Sequence, residues 1–168
     1  MNLLTPFQLT PLGLFHTVVS LLAVVTTFLA LFQDKEITSR TRIGRFYLIT
    51  LLITTITGFP IFRHGTVGPA HILGVLELVA LAVATAAEKI AVFGRASAYV
   101  RTVAYSSTVF LLMIPTVTET LTRVPPGSPL VAGPEAPIFM PLYLGLLVLF
   151  LIGVTLQLRR LRPAGRAR

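Results

Sequence analysis

The sequence predicts an all-α membrane protein: a polytopic transmembrane helix bundle of five spans, with the N-terminus outside and the C-terminus in the cytoplasm. Three observations predict it. Of the 168 residues 54% are hydrophobic and only 12% charged, about half the charged fraction of a soluble domain. Five apolar stretches approach or exceed the roughly 20 residues that a helix needs to cross a bilayer. The basic residues, finally, gather on one side of the bundle that those stretches define.

The spans are expected at 9–33, 46–62, 69–93, 102–122 and 138–158, within a single domain over 1–162. Ahead of the first, residues 1–10 hold no Lys or Arg. The basic region of a signal peptide is missing and the following apolar run is too long for one, so this span is expected to be retained. The second is the shortest and must stand nearly upright. The third is Ala-rich and carries Glu77, which suits it to the middle of the bundle. Its opening Gly68-Pro69 puts proline in a first turn, where the missing N–H costs nothing. The fourth contains Pro115, which frees the carbonyl of Leu111 and predicts a kink. Residues 124–137 hold Pro125, Pro126, Pro129, Pro134 and Pro137, and so predict a stiff, non-helical strap over the outer face. Residues 163–168 read as a disordered basic tail.

Orientation follows from charge. Lys35, Arg40, Arg42 and Arg45 follow the first span. Lys89, Arg95 and Arg101 lie at the end of the third and in the turn after it, and Arg159, Arg160, Arg162, Arg166 and Arg168 follow the fifth. That is twelve of the fourteen basic residues on one side, against Arg63 and Arg123 on the other. Merging or dropping a span destroys this segregation. These cations are topological determinants first. Arg40, Arg42, Arg45, Arg159, Arg160 and Arg162 are also expected contacts for anionic lipid headgroups. A net charge of +8 would suggest nucleic acid in a soluble chain. Here the cations lie between and after apolar runs, with no aromatic-studded groove for bases, so no nucleic-acid partner is expected.

Cysteine is absent, which excludes disulfides, thiolate metal sites and thiol nucleophiles. Tryptophan is absent too, leaving Tyr and Phe for an interfacial belt. No Walker loop, GxGxxG, HExxH, GxSxG or EF-hand loop occurs, so soluble-type catalysis has no motif to stand on.

Ionisable groups inside the hydrocarbon are costly and point to sites. The predicted topology puts His16, His71, Glu77, Glu119 and Arg123 in the outer half of the membrane and nothing comparable in the cytoplasmic half. Gly74, Glu77, Ala80, Ala84 and Glu88 share one helix face. Glu77 then sits in a close-packed seam, protonated or bonded to a threonine among Thr54, Thr55, Thr57, Thr116 and Thr118, or serves as a proton-relay or cation-binding carboxylate. His16 and His71 differ in depth by roughly 6 Å at 1.5 Å per residue. They could be axial ligands of a b-type haem, part of a metal site with Glu77, or structural histidines. His64 reads as a solvated turn residue. Glu119 and Arg123 have the spacing of a helical ion pair. Thr108, Pro115, Glu119 and Thr122 share a face that could border a ligand cavity. A shift of 55 residues sets His16 on His71, Gly13 on Gly68, Arg40 on Arg95 and Pro60 on Pro115. With two further identities, that is close to chance for so biased a composition.

Two stretches carry a family likeness. One runs from His16 through Ile43-Gly44-Arg45-Phe46-Tyr47 to Thr57-Gly58. The other holds Gly94-Arg95, Tyr99-Val100-Arg101 and Tyr105-Ser106. Together they resemble a family of small, uncharacterised bacterial multi-pass membrane proteins, over helices one to four. The family pattern has a His near Gly44, where this chain has Arg42 and Ile43, which speaks against haem on the second hairpin. The resemblance implies class and bacterial membrane location, and no activity. The expectation is therefore a small binding or accessory subunit with a polar site in the outer leaflet, associated with other membrane subunits or with copies of itself. A b-haem electron-transfer protein and a proton-coupled carrier are the alternatives.

Overall fold

Thr10 and Thr41 start the first two helices in the same way. Each hydroxyl accepts the N–H of the glycine three residues on, Gly13 at 3.0 Å and Gly44 at 3.1 Å, which satisfies one of the open first-turn donors. In the computed structural model, which describes residues 10–61, 67–90 and 93–161, these caps open α1 (Pro11–Gln33) and α2 (Arg42–Gly58). Then come α3 (Pro69–Lys89), a 3₁₀ turn (Gly94–Ala96), α4 (Ser97–Arg123) and α5 (Phe139–Leu161). No strand occurs among the described residues.

Where these bounds depart from the apolar runs, capping and turn chemistry are the reason. α2 starts four residues before its apolar run because Thr41 supplies the cap, so Arg42 and Arg45 lie on the helix itself. α3 stops at Lys89, ahead of the end of its apolar run. α4 begins at Ser97 on the back of the 3₁₀ turn, which takes Arg101 into the helix. It then runs through Pro115 to Arg123 as one element. Residues 124–137 are non-helical, as their prolines require. They fold back on the end of α4, the Val131 N–H donating to the Leu121 carbonyl at 3.0 Å.

Four helices are long and apolar enough to cross a membrane: α1, α3, α4 with its leading turn, and α5. At 17 residues, α2 reaches about 25 Å and is the short one. The surface has the character of a membrane protein. Phe15, Leu22, Val25 and Phe28 of α1, and Leu144, Leu149, Leu151 and Ile152 of α5, point outward. The interior is lined by small and hydroxyl side chains. Ala23, Thr27, Ala30, Ala84 and Thr108 are each 0% exposed. Small residues let helix backbones approach closely where no water drives association.

Two helical hairpins, α1–α2 and α3–α4, make the most extensive packing, and α5 lies against α4. The hairpins meet along shorter seams, α2 on α3 and α1 on α4. Tyr47, Leu51 and Tyr105 fill the space between them. Across that space the Tyr47 hydroxyl meets Thr108 Oγ1 at 2.8 Å. A buried phenol keeps its hydrogen bond while its ring supplies apolar contact.

Candidate functional site

The last turn of α2 carries Thr57, Gly58 and Phe59 past two histidines. His16 of α1 lies on one side, its Nδ1 3.1 Å from Thr57 Oγ1. Its ring is close to Gly58, where an added Cβ would stand 3.2 Å from His16 Cε1. His71 of α3 lies on the other side. Its Nδ1 accepts the Gly68 N–H at 3.1 Å, and its Nε2 lies 3.1 Å from the Phe59 carbonyl. A carbonyl only accepts, so Nε2 carries the proton and donates. One neutral imidazole thus serves the first orphan donor of α3 and an orphan acceptor at the end of α2.

This arrangement does not fit an axial-ligand pair. Both His71 ring nitrogens are engaged with backbone, and the end of α2 lies between the two rings. The 55-residue correspondence of the two histidines has no counterpart in role either: one bonds a threonine hydroxyl, the other caps two helices. Among the described residues no group of three or more His, Asp or Glu side chains is arranged to hold a metal ion. His64 and Arg162 lie outside the described residues.

Glu77 is buried, 7% exposed, on the face of α3 that turns to α2. Thr55 is its neighbour across the seam, one of the threonines that helix spacing offered. Its Oε1 has no hydrogen-bond partner, and neither has the Thr54 hydroxyl, itself 6% exposed. Close approach is possible here because Gly74, one turn earlier, has no side chain. A Cβ on it would stand 3.3 Å from the Phe59 ring and 3.7 Å from Thr55 Cγ2. Toward the loop end, Glu119 and Arg123 form the ion pair that their spacing predicts, within electrostatic reach of His16. Thr118 Oγ1 meets Tyr143 of α5 at 2.7 Å, and Thr108 is taken by Tyr47.

The opposite end corrects the expectation of an unremarkable basic surface. Glu88, in the last turn of α3, has a side chain only 3% exposed. Its Oε1 accepts the Thr38 hydroxyl at 2.6 Å, and its Oε2 accepts the Tyr105 hydroxyl at 2.7 Å and the Ser39 N–H at 3.2 Å. The Arg40 guanidinium stands 3.7 Å away. Beside it, Arg101 of α4 bonds Glu36 at 3.2 Å. Gln157 of α5 accepts from Ser106 at 2.6 Å and donates to the Lys35 carbonyl at 3.2 Å. Residues 35–40 are thereby bound to α3, α4 and α5 together. Two of the expected topological cations, Arg40 and Arg101, are partners of carboxylates. Arg42, Arg45, Arg159 and Arg160 are exposed, as a headgroup contact requires. The sequence signal for this cluster is the helix spacing that sets Glu88 on the same face of α3 as Gly74, Glu77, Ala80 and Ala84.

Two shallow apolar clefts open between helices. One of about 440 Å³ lies between α2 and α3. The other, of about 640 Å³, lies between α3 and α4 with Phe150 at its edge. Neither is lined by Thr108, Pro115, Glu119 or Thr122. No protein-family model, curated protein or solved structure matches this chain.

Proposed function

We propose that the chain is a five-span protein of the bacterial cell membrane, N-terminus outside and C-terminus in the cytoplasm, working as a small binding or accessory subunit with its site at Glu77. The observation that carries the reading is the Glu77 carboxylate, buried at mid-helix with Oε1 unpartnered. An ionisable group held in that state costs stability, and a ligand or proton that completes it offsets the cost. The polar groups His16, Thr57 and His71 tie α1 to α2 and α2 to α3. The same open oxygen supports a second reading, a proton-coupled carrier that loads Glu77 from outside.

The span count and orientation rest on the charge segregation and on the length of α2, which with a few flanking residues reaches across a thin hydrocarbon core. Because the chain has no cysteine, single-cysteine variants test them directly. A membrane-impermeant maleimide added to intact cells should label Ser128→Cys and leave Ser39→Cys unlabelled. The reverse pattern would overturn the orientation. For the site, wild type and Glu77→Gln are compared in proteoliposomes carrying a pH-sensitive dye under an imposed pH gradient. Proton uptake lost in the variant supports the carrier. Uptake absent from both supports the binding subunit, which should also leave its native membrane in mild detergent with larger subunits attached. Isolation as a lone monomer counts against that role.

A further inference from the structure

α2 and α3 touch closely at Thr55, Phe59 and Gly74 and then part toward the end of the bundle that holds Lys89. The space they leave is the cleft of about 440 Å³, walled by Leu52, Leu78, Leu81, Ala82 and Ala86, with Lys89 as its single charged lining residue. Lys89 is exposed. Its neighbour in sequence, Glu88, is turned to the other side of α3 and saturated by Thr38, Ser39 and Tyr105, so it leaves the lysine unneutralised. Arg45 stands two helical turns from Leu52 on the same face of α2, about 10 Å toward the same end. It too is exposed and, among the described residues, forms no ion pair. Arg40, Arg101 and Arg123, by contrast, each have a carboxylate. The cleft is thus an apolar slot with two uncompensated cations at its mouth.

We propose that this slot holds an acyl chain of an anionic phospholipid, with the lipid phosphate between Lys89 and Arg45. The chemistry is complementary at both ends. The walls offer a hydrocarbon chain only carbon, apart from the Thr85 hydroxyl, and the mouth offers a phosphate two free cations near a membrane surface, where each basic residue favours anionic lipid. A lipid seated there fills the seam between the two hairpins, which their own side chains leave open. The proposal rests on the five-span reading with the basic end at the cytoplasmic headgroups.

The test is native mass spectrometry of the full chain in mild detergent. Phosphatidylglycerol and phosphatidylcholine of identical acyl chains are titrated separately. Wild type should retain one phosphatidylglycerol in preference to phosphatidylcholine. Lys89→Gln with Arg45→Gln should weaken retention about thirtyfold, as two basic residues near an anionic group imply, while Arg123→Gln, at the opposite end of the bundle, should change little. Ala82→Phe fills the slot without touching either cation and should also lose the lipid, with thermal melts confirming that each variant is folded. Equal retention of both lipids, full retention by the double variant, or competition by glycerol phosphate as effective as by the lipid would each overturn the proposal. The cysteine labelling above separates the two failures: correct labelling with no lipid preference removes the slot alone, whereas reversed labelling removes the reading beneath it.

Discussion

The Nε2–H of His71 donates to the carbonyl of Phe59 at 3.1 Å and so ties the start of α3 to the end of α2. With Nδ1 already accepting from Gly68, the ring has no lone pair left for a metal. His71→Ala should cost about 1–2 kcal/mol, the loss of one cap and one half-buried hydrogen bond, read as a lower melting temperature in detergent. Haemin added to wild type should give no bis-histidine Soret spectrum. A spectrum of that kind, abolished in His71→Ala, would refute the capping role.

Glu88 gathers three hydrogen bonds and a guanidinium at 3% side-chain exposure. Glu88→Ala strands buried donors from Thr38, Ser39 and Tyr105 and should destabilise by about 3 kcal/mol. Glu88→Gln keeps an acceptor and should lose roughly half as much. Chemical unfolding followed by circular dichroism distinguishes the two. An Ala variant as stable as wild type would mean that residues 35–40 are held by something else.

Gly44 has no room for a side chain, because a Cβ would run into the Thr38 carbonyl. Gly44→Ala should therefore cost about 2 kcal/mol, by displacing the backbone that leads into α2. Gly145→Ala, whose Cβ meets nothing within 4 Å, should be neutral or stabilising by up to about 1 kcal/mol. The contrast in melting temperature checks the close approach at Gly44 independently of helix propensity.

Glu77→Leu replaces a buried carboxylate having an unpartnered oxygen by an apolar group of similar size. It should raise stability by about 1–3 kcal/mol while removing whatever binding or proton uptake wild type shows. Stability gained with function lost marks a residue kept for use. A stability loss would instead make Glu77 a packing group.

Much of this architecture can be read from local chemistry. Gly68-Pro69 and the prolines of 124–137 mark boundaries by backbone restriction, and Glu119 with Arg123 pairs at helix spacing, whereas the Thr41 cap lies outside the apolar run and so escapes a reading by hydropathy. Glu77 stands out because small residues share its face. What cannot be read locally is a partner distant in the chain. Thr38, Ser39 and Tyr105 lie 50, 49 and 17 residues from Glu88, so helix spacing puts that carboxylate on the Glu77 face but names none of its partners. His71 fails differently. Its residue type and depth fit a ligand, and only the arrival of the Phe59 carbonyl, 12 residues back, takes up its remaining nitrogen.

The seam between the hairpins is pinned near both extremities, by His71 on Phe59 and by Glu88 on Thr38 and Ser39. A body fastened at two ends cannot swing like a door. It can only bow. On the proposed reading, a motion that opened a way to Glu77 would be a flexing of α2 against α3 between those two ends, and a lipid in the cleft would stiffen it.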